Sequence, residues 1–150
     1  MTDYTALQQS LKALVSDVPY RIANLANASA LLYEELPQLN WAGFYLLEGD
    51  ALILGPFQGK PACIRIPMGK GVCGTAASRG ETIVVPNVHE FPGHIACDGA
   101  SNSEIVLPIY LDGALFGVLD IDSPIFDRFD ENDRVGLEGI VDILSDALRA

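Results

Sequence analysis

Residues 104–121 read Glu104-Ile105-Val106-Leu107-Pro108-Ile109-Tyr110-Leu111-Asp112-Gly113-Ala114-Leu115-Phe116-Gly117-Val118-Leu119-Asp120-Ile121. Two β-rich runs flank Asp-Gly, a pair that accepts the positive φ angles of a two-residue turn. The pattern predicts a hairpin of Glu104–Leu111 and Ala114–Ile121. Side chains alternate along a strand, so Asp120 and Asp122 share a face. Pairing about Asp112-Gly113 sets residues whose numbers add to about 225 opposite one another. Glu104 then lies beside Asp120 and Asp122, and three carboxylates converge. Solvated surface is the commoner home for acidic residues. Convergence raises at least one pKa, because neighbouring like charges ionise together only at a cost, and it couples the titrations. Such a cluster suits binding a cation, an α-ammonium group or a metal, or holding a proton for general-acid work.

Outward from the hairpin, helices cluster at both ends of the chain. Tyr4, Leu7, Leu11 and Leu14 recur at helical steps. Ser16-Asp17-Val18-Pro19 breaks that helix and supplies a cap and an early-turn proline for a second. Ile22, Leu25, Leu32 and Leu36 line the second, and Pro37 ends it. Trp41–Leu47 reads as an aromatic-rich strand, turning at Glu48-Gly49-Asp50 into Ala51–Leu54. Ile64–Ile66 and Thr82–Val85 are short strands, and Val72–Ser78 is a short helix stopped by Gly80. Asp130-Glu131-Asn132-Asp133 caps a last helix with Leu137, Ile140, Val141, Leu144 and Leu148 on its apolar face. Strands linked mostly as hairpins, with helices to cover them, give an α+β class with a largely antiparallel sheet.

The 150 residues include 20 acidic and 9 basic side chains, for a net charge of −11. Neither repeats nor linkers appear, so residues 1–150 are expected to form a single domain. The acidity argues against nucleic acid and against an anionic membrane surface. No apolar run is long enough to span a bilayer, and the N-terminus lacks the features of a secretory signal. A cytoplasmic location is expected.

Cys63, Cys73 and Cys97 are an odd number for a structural disulfide framework. A free cysteine is most often a small buried hydrophobe. Cys97 is harder to explain that way, because it sits in the polar, aperiodic stretch Asn87–Ser103, and loops this long in compact domains are usually functional or disordered. Cys73 falls in the first turn of the predicted Val72 helix, where the dipole favours thiolate. These arguments do not rank Cys73 against Cys97 as a nucleophile. His89, His94, Cys97 and Asp98 have a spacing that zinc can use, but paired Cys-x-x-Cys motifs are missing, so no metal is assigned. Gly69-Lys70-Gly71 lacks the remainder of a phosphate loop. Trp41 and Tyr45 share a strand face and are read first as core; an indole is also a good wall for an S-methyl group.

Several segments together resemble the free methionine-(R)-sulfoxide reductases, stand-alone enzymes of GAF-like fold. They are Leu39–Tyr45, Leu54–Gly59, Gly69–Ala76, His94–Asp98, Ser101–Pro108 and Gly117–Ser123. The three cysteines match that family in number and spacing. The resemblance implies Cys97 as nucleophile, Cys63 as the main resolving thiol and Cys73 as a further exchanging thiol. It implies Glu104, Asp120 and Asp122 as the carboxylates that hold the substrate amino group and serve the sulfoxide. Trp41 is implied as the wall for the methyl group, with Tyr45 near it. Homodimers are common in the family.

The implied chemistry starts with Cys97 thiolate attacking the sulfoxide sulfur while a carboxyl protonates the departing oxygen. Methionine leaves, Cys97 becomes a sulfenic acid, and Cys63 condenses with it to a disulfide. An external dithiol, thioredoxin by expectation, restores the thiols. The electrons pass through sulfur, so no bound cofactor is expected. A peptide-bound sulfoxide has no ammonium to offer the carboxylates, so the free amino acid is the expected substrate. Two other readings remain on the sequence. A small-ligand sensor of GAF type requires neither three thiols nor three carboxylates, and a thiol redox switch leaves the carboxylates unexplained.

Overall fold

A computed structural model describes residues 1–94 and 99–149. It contains helices α1 (Tyr4–Val15), α2 (Arg21–Glu35), α3 (Gly71–Arg79) and α4 (Glu131–Leu148). The strands are β1 (Trp41–Glu48), β2 (Ala51–Gly59), β3 (Arg65–Pro67), β4 (Ile83–Val85), β5 (Ser103–Leu111) and β6 (Ala114–Ser123). They form one six-stranded sheet in the order β3-β2-β1-β6-β5-β4, antiparallel at every step. This is the expected α+β architecture.

The hairpin turns at Asp112 and Gly113, both with positive φ (52° and 83°), as a two-residue turn of this hand requires. A register shift between Ile109 and Tyr110 then moves the pairing by one residue. Glu104 therefore stands opposite Asp122, and Val106 opposite Asp120. The sequence pairing, counted from the turn alone, falls one residue short because the bulge lies between the turn and the site.

The sheet separates two apolar clusters. On one face Ile105, Leu107, Ile109, Leu119 and Ile121 pack with α1, α2 and α4. On the other, Trp41, Tyr45, Val106 and Val118 pack with α3 residues Val72, Cys73, Ala76 and Ala77. Gly74 lets α3 close on β3, because a Cβ there would lie 2.5 Å from the Pro67 carbonyl oxygen. The last helix starts as expected, with a reciprocal capping box between Asp130 and Asp133.

The first two helices differ from the sequence pattern in detail. In α1 the buried face is Tyr4, Leu7, Leu11 and Val15, while Leu14 is 40% exposed. Ile22 is 64% exposed, and Leu25, Ala28, Ser29 and Leu32 fill the interface of α2 instead. The cap also shifts. Ser16 turns back onto α1 by donating to the Lys12 carbonyl, and α2 begins after Tyr20 without a side-chain cap. Asn24, inside the first turn, ties α2 to the preceding loop by donating to the Val18 carbonyl at 2.9 Å.

Candidate active site

The pocket face of the sheet carries two adjacent rows. Trp41 pairs with Asp122, and Asp122 with Glu104. One step along, Gly43 pairs with Asp120, and Asp120 with Val106. β1, β6 and β5 thus deliver Trp41, Asp122, Glu104 and Asp120 to one patch, as alternation predicts. Tyr45 follows Trp41 on the same face.

These side chains line a cavity of about 40 Å³ closed by α3 and the segments around it. Trp41, Tyr45, Cys73, Glu104, Asp120 and Asp122 all contribute to its wall. Cys73 Sγ and carboxylate oxygens of Glu104 and Asp120 lie within 4.8 Å of one another. Asp120 is only 5% exposed, and among the described residues its Oδ1 accepts no hydrogen bond. A buried carboxylate oxygen without a donor is costly, so it asks for a donor from a ligand.

The electrostatics follow from burial among like charges. Burial, reinforced by Asp120 and Asp122, pushes the Glu104 carboxyl well above its ordinary range. Burial also raises Asp120, opposed by hydrogen bonds from Glu104, Cys73 and Asp122. The cluster therefore retains a proton at a pH where exposed carboxylates have lost theirs. Cys73 is a free thiol, fully inside the wall, and is also pushed up by burial and by the three carboxylates. The helix-dipole argument for a Cys73 thiolate is thus outweighed, since burial and fixed like charges act more strongly than one helix end.

Trp41 stacks between Tyr45, with ring centroids 5.8 Å apart, and Phe57 at 5.1 Å. Its indole N–H donates to the Lys60 carbonyl at 3.1 Å, which fixes the ring as a wall. The Tyr45 hydroxyl donates to the Cys63 carbonyl at 3.0 Å, tying the Cys63 segment to β1. Burial and the neighbouring acids keep that phenol protonated. Cys63 itself is disulfide-bonded. Cys97 and Asp98 lie outside the described residues.

Three wall residues with polar side chains escape the sequence analysis as site residues: His94, Lys70 and Ser101. His94 Nε2 is 3.9 Å from Glu104 Oε1, and burial, with His89 nearby, lowers its pKa. Its sequence signals are a zinc-like spacing and its place at the head of the His94–Asp98 segment, neither of which gives it a role. His89 is engaged elsewhere, with Nε2 2.8 Å from Asn102 Oδ1. Lys70 precedes α3, in a glycine-flanked triplet that falls short of a phosphate loop. Ser101 accepts from the Asn40 side-chain amide at 3.0 Å and lies in the long aperiodic loop, but no spacing singles it out.

A six-stranded antiparallel sheet with its ligand pocket on one face and a helical layer on the other is the plan of a GAF domain. That family matches residues 7–148, and the chain belongs to it. Within that fold the likeness is more specific. Free methionine-R-sulfoxide reductase of Escherichia coli (strain K12) is 56% identical over 138 residues, covering 92% of this chain and 84% of that protein. The reduced fRMsr of Staphylococcus aureus superposes with a TM-score of 0.96 at 58% identity, over 99% of this chain and 96% of that one. Its complex with substrate gives 0.95 at 57%, over 99% and 97%. The chain is a member of the free methionine-R-sulfoxide reductase family.

Proposed function

We propose that this chain reduces free L-methionine-(R)-sulfoxide to methionine with electrons from thiols. The observation that carries the reading is the carboxylate trio under Trp41, with Glu104 and Asp120 buried, Asp122 half-buried, and an Asp120 oxygen that has no hydrogen-bond partner among the described residues. An ammonium group supplies the missing donors and offsets the crowded negative charge. Asp120 and Asp122 take that group. Glu104, holding its proton, faces the sulfoxide oxygen and protonates it as the S–O bond breaks. Trp41 and Tyr45 wall the methyl side. Lys70 and the first N–H groups of α3 line the same cavity and suit the substrate carboxylate.

In this reading Cys97 is the nucleophile and becomes the sulfenic acid. Cys63 condenses with it, releasing water and leaving a disulfide. The disulfide at Cys63 supports that role. Cys73, buried and held as a thiol, acts in later exchange. Thioredoxin returns the two electrons. The reading takes residues 1–150 as a single domain acting as a homodimer in the cytoplasm; the family resemblance supports the dimer, and thiol chemistry fits a reducing compartment. Among the described residues no helix is long and apolar enough to cross a membrane.

The test is NADPH oxidation coupled through thioredoxin, with three substrates: the free R sulfoxide, the free S sulfoxide and a peptide containing the R epimer. Turnover of the free R epimer alone is expected. Equal turnover of the peptide removes the ammonium from the recognition scheme. No turnover of any of them, with dithiothreitol also failing, leaves ligand sensing as the better account of the pocket.

A further inference from the structure

Charge is segregated along the chain. Residues 51–80 carry four of the nine basic residues, Lys60, Arg65, Lys70 and Arg79, and none of the 20 acidic ones. This stretch supplies β2, β3 and α3, the margin of the sheet beside the pocket. It also contains Cys63. Its most exposed large apolar residue is Ile64, which is 73% exposed and adjoins that cysteine.

The segment is fixed, not loose. The Cys63 carbonyl accepts from the Tyr45 hydroxyl at 3.0 Å, and the Ile64 carbonyl accepts from the Leu54 N–H at 2.9 Å. Ile64 is therefore held out to solvent on a pinned backbone, with exposed Lys60 and Arg65 on either side. Arg65 pairs with Asp50 at 3.4 Å, but both side chains are largely exposed, so water screens the pair and the guanidinium is easily recruited. An apolar anchor flanked by charge is how a compact protein interface is built.

The basic patch has no use for the small substrate at long range. A methionine sulfoxide zwitterion carries no net charge, so a distant field does not steer it. Against the chain's net charge of −11, the local field of this acid-free stretch orients an acidic protein toward this face and away from the rest of the surface. We propose that Lys60, Ile64 and Arg65 form the docking surface for an acidic protein bearing the reducing dithiol. The proposal rests on the disulfide chemistry put forward above. In the docked complex a partner thiolate attacks Cys63 Sγ. A mixed disulfide forms, the sulfur formerly bonded to Cys63 leaves as thiolate, and it takes up a proton. The partner's second thiol then attacks its own sulfur in the mixed disulfide, forming the partner's disulfide and releasing Cys63. Two electrons and two protons have passed to this chain.

The experiment compares two reductants on the full chain, thioredoxin with its reductase and uncharged dithiothreitol. The double variant Lys60→Glu/Arg65→Glu is expected to raise the KM for thioredoxin about ten-fold at low ionic strength, with the gap closing toward ~1 M salt. Ile64→Asn, which removes the apolar anchor without adding charge, is expected to raise it by a similar factor at every salt concentration. Turnover driven by dithiothreitol stays within about two-fold of the parent in both, which also shows that the variants fold and that docking alone has changed. Unchanged thioredoxin KM with normal dithiothreitol turnover overturns the proposal. So does a shift in oligomeric state of Ile64→Asn without a change in KM, which makes the patch a self-interface. A parent enzyme that fails even with dithiothreitol refutes the reductase reading instead.

Discussion

The two faces of the β5–β6 hairpin are made from the same backbone and do opposite things. On one, Ile105, Leu107, Leu119 and Ile121 are sealed under α1, α2 and α4. On the other, one residue away at each step, Glu104 and Asp120 are buried nearly as deeply beside α3. The first face gains from every contact it makes. The second holds carboxylates against one another, an arrangement that costs stability until a cation or a proton relieves it. The hydrophobic face fixes the register, because a slip of one residue would exchange the two sets. Apolar alternation thus places the acids as firmly as it places the leucines.

That division is open to attack from both sides. Glu104→Gln keeps the shape and removes the proton donor. It is expected to lower kcat by about 10²–10⁴-fold, the range for loss of a general acid, while thermal stability holds or rises. Leu119→Ala, on the far face of the same hairpin, is expected to cost about 2–5 kcal/mol in denaturant unfolding, with kcat per folded molecule unchanged. If Glu104→Gln unfolds the protein, or Leu119→Ala selectively kills turnover, the faces are not separable in this way.

The pH dependence of stability sharpens the same contrast. Below the ordinary glutamate value of 4.5, Glu104 is protonated in both the folded and unfolded chain. Above it the unfolded chain releases the proton while burial makes the fold keep it, so stability falls as pH rises toward the raised folded value. Glu104→Gln lacks this slope. Melting curves across pH should therefore show the variant gaining on the parent from about 4.5 upward and levelling off once the folded carboxyl has ionised. A gap that stays constant means that Glu104 is not held protonated.

Much of the acidic face is legible in the sequence. Alternation and the Asp-Gly turn place Asp120 and Asp122 on one face with Glu104, since both rules are local and strong. The bulge at Ile109 and Tyr110 is not legible, because bulges answer to sheet curvature and not to a residue code. The faces of α1 and α2 are legible only in part. Counting apolar residues cannot tell Leu14 from Val15 when the next layer decides which one is covered. The protonation of Cys73 escapes for a related reason: its position at a helix start is a sequence fact, but its immersion among acids is a tertiary one. His94, Lys70 and Ser101 come from three different segments that only the fold brings to one cavity.

The smallest expected effect concerns the link between the pocket wall and the disulfide. The Tyr45 hydroxyl is the tie from β1 to the Cys63 carbonyl, while its ring stacks on Trp41. Tyr45→Phe removes the first and keeps the second. The lost hydrogen bond should cost about 0.5–1.5 kcal/mol in stability. Substrate chemistry needs the wall and not the hydroxyl, so the burst of one methionine per site in a single turnover should be unchanged. Steady turnover needs Cys63 to return repeatedly to one position, and it should slow by about two- to ten-fold, in line with a bond of that strength. A slower burst with normal steady turnover would instead assign the hydroxyl to the substrate, and the carboxylate face would then extend to Tyr45.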